Sequence, residues 1–167
     1  MLAVNVIQFI LTIEGNGTEV TPRLVAAFVE SYANLGRFDE AEAILSKYQH
    51  LQVLEMTKNK LIIGYLINGK TLIAEEKLQQ FSEESSKYVT TTAVINAFLQ
   101  AYVKAGRLEE VEKTLKYADE KGIAYDWATL NILLHMYLST CIEKGQEPST
   151  KTIFEYFSDA TSRGIRA

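Results

Sequence analysis

Residues 96–126 read NAFLQAYVKAGRLEEVEKTLKYADEKGIAYD: two runs of helical character, each closed by a glycine. In the first run Val94, Ile95, Phe98, Leu99 and Tyr102 recur at helical spacing, which predicts an amphipathic helix A. Gly106 can take the left-handed conformation that ends such a helix. In the second run Leu108, Val111, Leu115 and Ala118 fall on one side, with Glu109, Glu110, Glu112 and Lys113 on the other, which predicts helix B. Lys121-Gly122 closes it, with a cation near the negative end of the helix dipole. One such hairpin cannot cover both of its apolar faces, whereas stacked hairpins can.

Outward from this stretch the pattern recurs. ESYANLGRFDEAEAIL, IGYLINGKTLIAEEKL, QAYVKAGRLEEVEKTL and HMYLSTC align on Tyr32, Tyr65, Tyr102 and Tyr137, spaced 33, 37 and 35 residues apart. Four residues after each tyrosine stand Gly36, Gly69, Gly106 and then Cys141. Six residues before the last three tyrosines stand Asn59, Asn96 and Asn131, with Ala26 at that place in the first unit. Several marks in one register define a repeat of about 35 residues. The expected architecture is all-α: a right-handed α-solenoid of stacked antiparallel helix pairs, about nine helices in all. Its repeats are expected at residues 20–54, 55–91, 92–126 and 127–167, with residues 1–19 the helix of an incomplete preceding repeat. The whole is read as one helical-repeat domain.

Composition bounds the alternatives. The 167 residues are 47% hydrophobic and 23% charged, with two prolines, as in a soluble helical chain. No apolar run reaches membrane-spanning length, so membrane insertion is not expected. MLAVNVIQFILTIEG has no Lys or Arg before its apolar run and no cleavage site, so no targeting peptide is visible. The single cysteine, Cys141, is read as a small apolar residue on a packed face in a reducing compartment. His50 and His135 have no partner at metal spacing. His50 is expected to be solvated and His135, one turn after Asn131, to be structural. No phosphate loop, nucleophile elbow or paired-carboxylate site is visible, so neither catalysis nor a cofactor is expected. Phe28, Tyr32, Phe154 and Phe157 are read as core, and Trp127 as the opening residue of a helix A.

AVINAFLQAYVKAGRLEEVEKTLKYADEKGIAYD, residues 93–126, resembles the pentatricopeptide repeat. MTKNKLIIGYLINGK and ATLNILLHMYL resemble two further A helices of that family, VTPRLVAAFVESYANLGRFDEAEAIL a fourth unit, and KTIFEYFSDATSRGIRA a closing helix B. The resemblance implies a module that binds single-stranded RNA sequence-selectively, within an organellar factor for RNA processing, stability or translation. The compartment expected is the mitochondrion, with the plastid as alternative. DNA is not an expected partner. By the same resemblance Asn59 with Thr91, Asn96 with Asp126, and Asn131 would read bases. Met56, Ala93 and Ala128 would sandwich them, in places where the family usually has Val or Ile. The first unit, with Arg23, Ala26 and Leu54 at these places, should not read a base in the usual way. Taken alone, YANLGRFDEAEAIL also resembles a tetratricopeptide repeat, and a scaffold that holds a protein partner, for instance through the acidic B face, is the alternative.

The net charge of −4 opposes RNA binding, but its distribution does not. Asp39, Glu40, Glu42, Glu75, Glu76, Glu109, Glu110 and Glu112 lie on B segments. The A segments carry Arg23, Lys58, Lys60 and Lys104 against Glu30 and Glu55. Lys58, Lys60 and Lys104 are the expected phosphate contacts. The last unit departs from the pattern: Cys141 replaces the helix-ending glycine, helix A should run on toward Gly145, and Ser149 is the expected N-cap of the following helix.

Overall fold

A computed structural model describes residues 12, 15, 17, 20–48, 50, 54–85 and 88–162. The expected helix of residues 1–19 therefore lies outside them but for three isolated positions. The side chains of Leu54 and Phe157 lie outside them as well. From residue 20 onward the described residues form eight α-helices and no strand. These are α1 (Pro22–Asn34), α2 (Phe38–Lys47), α3 (Leu54–Ile67), α4 (Thr71–Glu84), α5 (Thr92–Lys104), α6 (Leu108–Glu120), α7 (Trp127–Glu143) and α8 (Thr150–Ser162). The chain divides into two compact units, Met1–Val89 and Thr90–Ala167.

The turns that fold each helix back are built alike. Gly36, Gly69 and Gly106 have φ of 73°, 72° and 68°. The next residue in each case donates its backbone N–H to the carbonyl of the repeat tyrosine at 2.9 Å, Arg37 to Tyr32, Lys70 to Tyr65 and Arg107 to Tyr102. This bond satisfies a carbonyl that the helix end would leave unpaired. The Arg37 and Arg107 guanidinium groups lie 4.9 and 4.8 Å from the centres of the Tyr32 and Tyr102 rings. They also pair with Glu40 and Glu110 in the first turn of the next helix, and those hydrogen bonds hold both carboxyls below the ordinary range. In the last turn the same device is displaced by four residues, as expected: α7 runs to Glu143, Gly145 has φ of 62°, and Gln146 N–H bonds the Cys141 carbonyl at 2.8 Å. Ser149 Oγ accepts from Thr152 N–H at 3.4 Å and caps α8.

In the first unit α1 packs on α2, α3 on α4, and α1 on α3. Val25, Val29, Ala41, Ile44, Leu61, Ile62, Ala74 and Phe81 are buried there. Gly64 sets the α1–α3 approach, because a Cβ at that position would lie 2.4 Å from Ala33 Cβ. Asn68 fastens the same seam, its amide donating to Ala33 O at 3.1 Å and Gly64 O at 2.9 Å. Phe38 and Tyr65 stack with centroids 4.0 Å apart. Burial first, and then the neighbouring Glu42 carboxylate that accepts its hydroxyl, push the Tyr65 phenol up.

In the second unit α5 packs on α6 and on α7, and α7 on α8. The five apolar residues expected to line α5, Val94, Ile95, Phe98, Leu99 and Tyr102, are all buried. Burying a side chain of this size contributes about 1.5–3 kcal/mol. On α6 Val111 and Ala118 are buried, but Leu108, in its first turn, is 45% exposed. Phe154 corrects the core reading outright: on α8 it is 72% exposed.

Candidate functional site

Asn96 lies in the second turn of α5 and Asp126 is the N-cap of α7, so the packing of these two helices brings them together. Asn96 Nδ2 donates to Asp126 Oδ1 at 2.8 Å. The Asp126 carboxylate also caps α7, accepting the Thr129 N–H at 2.9 Å, while Asp126 N–H bonds Thr129 Oγ1 at 3.1 Å. Burial pushes the Asp126 carboxyl up, but bonds from the Thr129 backbone, the Asn96 amide, the Thr129 hydroxyl and the Ala128 backbone outweigh it. The carboxyl is held below its ordinary value, and the side chain is an ionised acceptor at neutral pH. Asp126 is exposed whereas Asn96 is buried, so Asp126 is the surface of the pair and Asn96 its support.

A lowered native carboxyl pKa adds stability above the unfolded value near 3.8, and that stability is lost as pH falls through the native value. The melting temperature of the wild-type protein should therefore fall faster than that of Asp126→Asn between about pH 5 and 3. Asparagine keeps the cap but does not titrate. Parallel slopes in thermal melts over this range would contradict the assignment.

Beside this pair, Asn96, Gln100 and Lys104 follow one face of α5 at intervals of four, and Asn131, His135 and Ser139 follow one face of α7. Gln100, Val103, Lys104, Asn131, His135 and Ser139 contribute to a groove of about 540 Å³. Asn131 and Lys104 are exposed in it. So is His135, which corrects its structural reading, while His50 is exposed as expected. Ala93 and Ala128 are exposed, as is Met56 in the first unit at 63%. Thr91 is the exposed N-cap residue of α5.

The first unit holds its candidate residues differently. Asn59 is buried and committed at both ends of its amide: Nδ2 donates to Val89 O at 3.1 Å and Oδ1 accepts from the Tyr88 hydroxyl. Lys58 is 7% exposed, with its ammonium 2.8 Å from Glu84 and 4.5 Å from the Phe81 ring centre. That geometry removes it from the expected phosphate contacts. Its register on α3 turns it toward α4, where the Phe81 ring and the Glu84 carboxylate compensate the buried charge. Lys60 pairs with Glu30 at 2.7 Å. Lys104 is thus the expected lysine contact that remains exposed without a salt bridge among the described residues.

Three contributors escaped the sequence reading: Thr129, Gln100 and the Tyr88–Val89 clasp on Asn59. Thr129 had a local signal, since Asp followed by Thr three residues on can form reciprocal N-terminal bonds. Tyr88 and Val89, 29 and 30 residues from Asn59, had none. Among the described residues no group of three His, Cys, Asp or Glu could hold a metal, and no helix is long and apolar enough to cross a membrane.

Comparison with known proteins gives the chain its relatives. The family model described as the PPR repeat matches residues 90–123. The chain is 28% identical over 137 residues to a pentatricopeptide repeat-containing protein of Arabidopsis thaliana, covering 80% of this chain and 23% of that protein. It is 28% identical over 114 residues to another from the same plant, named as chloroplastic, covering 68% of this chain and 14% of that protein. The chain thus spans less than a quarter of the length of these curated relatives.

Proposed function

From the pentatricopeptide repeat at residues 90–123, we propose that this chain is a segment of an RNA-binding protein and reads single-stranded RNA along the α5–α7 face. The observation that carries the reading is the Asn96–Asp126 pair, preassembled at 2.8 Å with an ionised carboxylate at the surface. A carboxylate only accepts, so it suits the N3–H of uracil and not the bare N3 of cytosine. Lys104 supplies charge for the backbone, and the exposed Asn131 offers a second amide four residues before His135. The whole protein is proposed to act on organellar RNA, in processing, stability or translation. The chloroplastic label of one relative makes the plastid a compartment to test beside the mitochondrion. Selection from a randomised RNA pool tests the function, with an enriched motif expected.

The pairing of Lys58 and Lys60 gives the second reading its support, since among the described residues it leaves one of the three expected phosphate contacts, Lys104, without a salt bridge against the net charge of −4. In that reading the chain is a helical-repeat scaffold for a protein partner, and an unenriched pool favours it.

The lysines separate by geometry. Lys104→Ala should weaken binding to all RNAs alike and lower the salt slope by about one. Lys58→Met should leave both unchanged, because its charge is spent on Glu84. Equal losses in the two variants, measured by anisotropy across a salt series, would contradict this division.

A further inference from the structure

Thr129 is fully buried, yet its hydroxyl touches both members of the proposed reading pair. Its Oγ1 lies 2.6 Å from Asn96 Oδ1, 3.1 Å from Asp126 Oδ1 and 3.1 Å from Asp126 N. A hydroxyl has one hydrogen to give. The Asp126 N–H fills an acceptor site on Oγ1, and the shorter contact takes the proton to the Asn96 carbonyl oxygen. Asn96 then has one orientation available. A flipped amide would set its oxygen against the Asp126 carboxylate and lose the bond that it accepts from the Thr129 hydroxyl. The Thr129 backbone N–H meanwhile pins the same Asp126 oxygen at 2.9 Å.

We infer that Thr129, on the hairpin after the one that carries Asn96, is a positioning residue for base choice: its hydroxyl fixes the Asn96 amide, and with it the Asp126 carboxylate, as an acceptor aimed at a pyrimidine N3–H. The inference rests on the RNA-reading proposal for this site. It makes the choice a property of three residues, one of which touches no base. A role confined to capping α7 would affect stability and leave the choice among bases unaltered.

The test compares Thr129→Val, which keeps the shape without the hydroxyl, with Thr129→Ser, which keeps the hydroxyl. Competition between two RNAs that differ by uracil or cytosine at the selected position gives the ratio, and circular dichroism melts verify folding. The uracil-to-cytosine ratio should fall roughly tenfold in Thr129→Val and stay near wild type in Thr129→Ser. Thr129→Cys, a much weaker donor of similar size, supplies the same comparison if the valine variant does not fold. A wild-type ratio in folded Thr129→Val or Thr129→Cys overturns the positioning role and leaves the RNA reading standing. A wild-type protein with no preference between the two bases overturns both.

Discussion

Gly64→Ala should lower the melting temperature of the first unit by about 8–16 °C, equivalent to roughly 2 kcal/mol. Two effects compete. Alanine favours a helix interior over glycine by about 1 kcal/mol. Against that, the new Cβ would lie 2.4 Å from Ala33 Cβ and 2.9 Å from the Ala33 carbonyl carbon. Neither atom is the end of a flexible side chain, so α1 and α3 must move apart. That separation disturbs the Asn68 bonds to Ala33 and Gly64 and the buried contacts along the seam. The steric term wins because it acts on the whole interface and the propensity term on one residue. Ala33→Gly in the same chain should restore part of the loss by removing the methyl group. A melting temperature equal to or above wild type for Gly64→Ala would show that the seam is looser than its geometry.

Asp126→Asn should move the base preference from uracil toward cytosine, by about 5–150-fold in the ratio of affinities, or roughly 1–3 kcal/mol. The direction follows from the side of the carboxylate that is held. Oδ1 receives the Asn96 amide and the Thr129 N–H. In the variant only the carbonyl oxygen can occupy a position so rich in donors. The new NH2 group is thereby forced to the opposite side, where it presents a donor instead of an acceptor. Cytosine N3 accepts from such a group and uracil N3–H does not. The cap on α7 survives the change, because asparagine serves there nearly as well. One-base competition at the selected position gives the ratio, and an unchanged preference would mean that Asp126 does not meet the base.

Much of this was legible in the sequence because it is written in local chemistry. The tyrosine–glycine phase located three turns, since a left-handed residue four positions after a core tyrosine has one structural use at a helix end. The α5 core followed from helical spacing alone. The repeat register marked Asn96, the resemblance to the pentatricopeptide repeat paired it with Asp126, and the packing of α5 on α7 joins these residues 30 apart. What failed was orientation within one turn. Lys58 and Lys60 are two residues apart and so cannot share a helix face, a constraint that a charge tally by segment ignores. Asn59 carries the same register mark as Asn96, but its amide is claimed by Tyr88 and Val89 in the connection after α4. Repeat position cannot reveal such a partner. An aromatic at helical spacing marks Phe154 as core, yet it is exposed and no described helix covers it.

The RNA-reading claim meets its most direct test in equilibrium binding of the wild-type chain to two single-stranded RNAs. The pair should be identical but for uracil or cytosine at the one position enriched in the selected pool. Uracil should bind about tenfold more tightly or better at fixed salt, as an ionised Asp126 facing N3–H requires. Equal affinity for the two, or no binding to either at the salt where Lys104 should act, would contradict the reading of the α5–α7 face as an RNA surface.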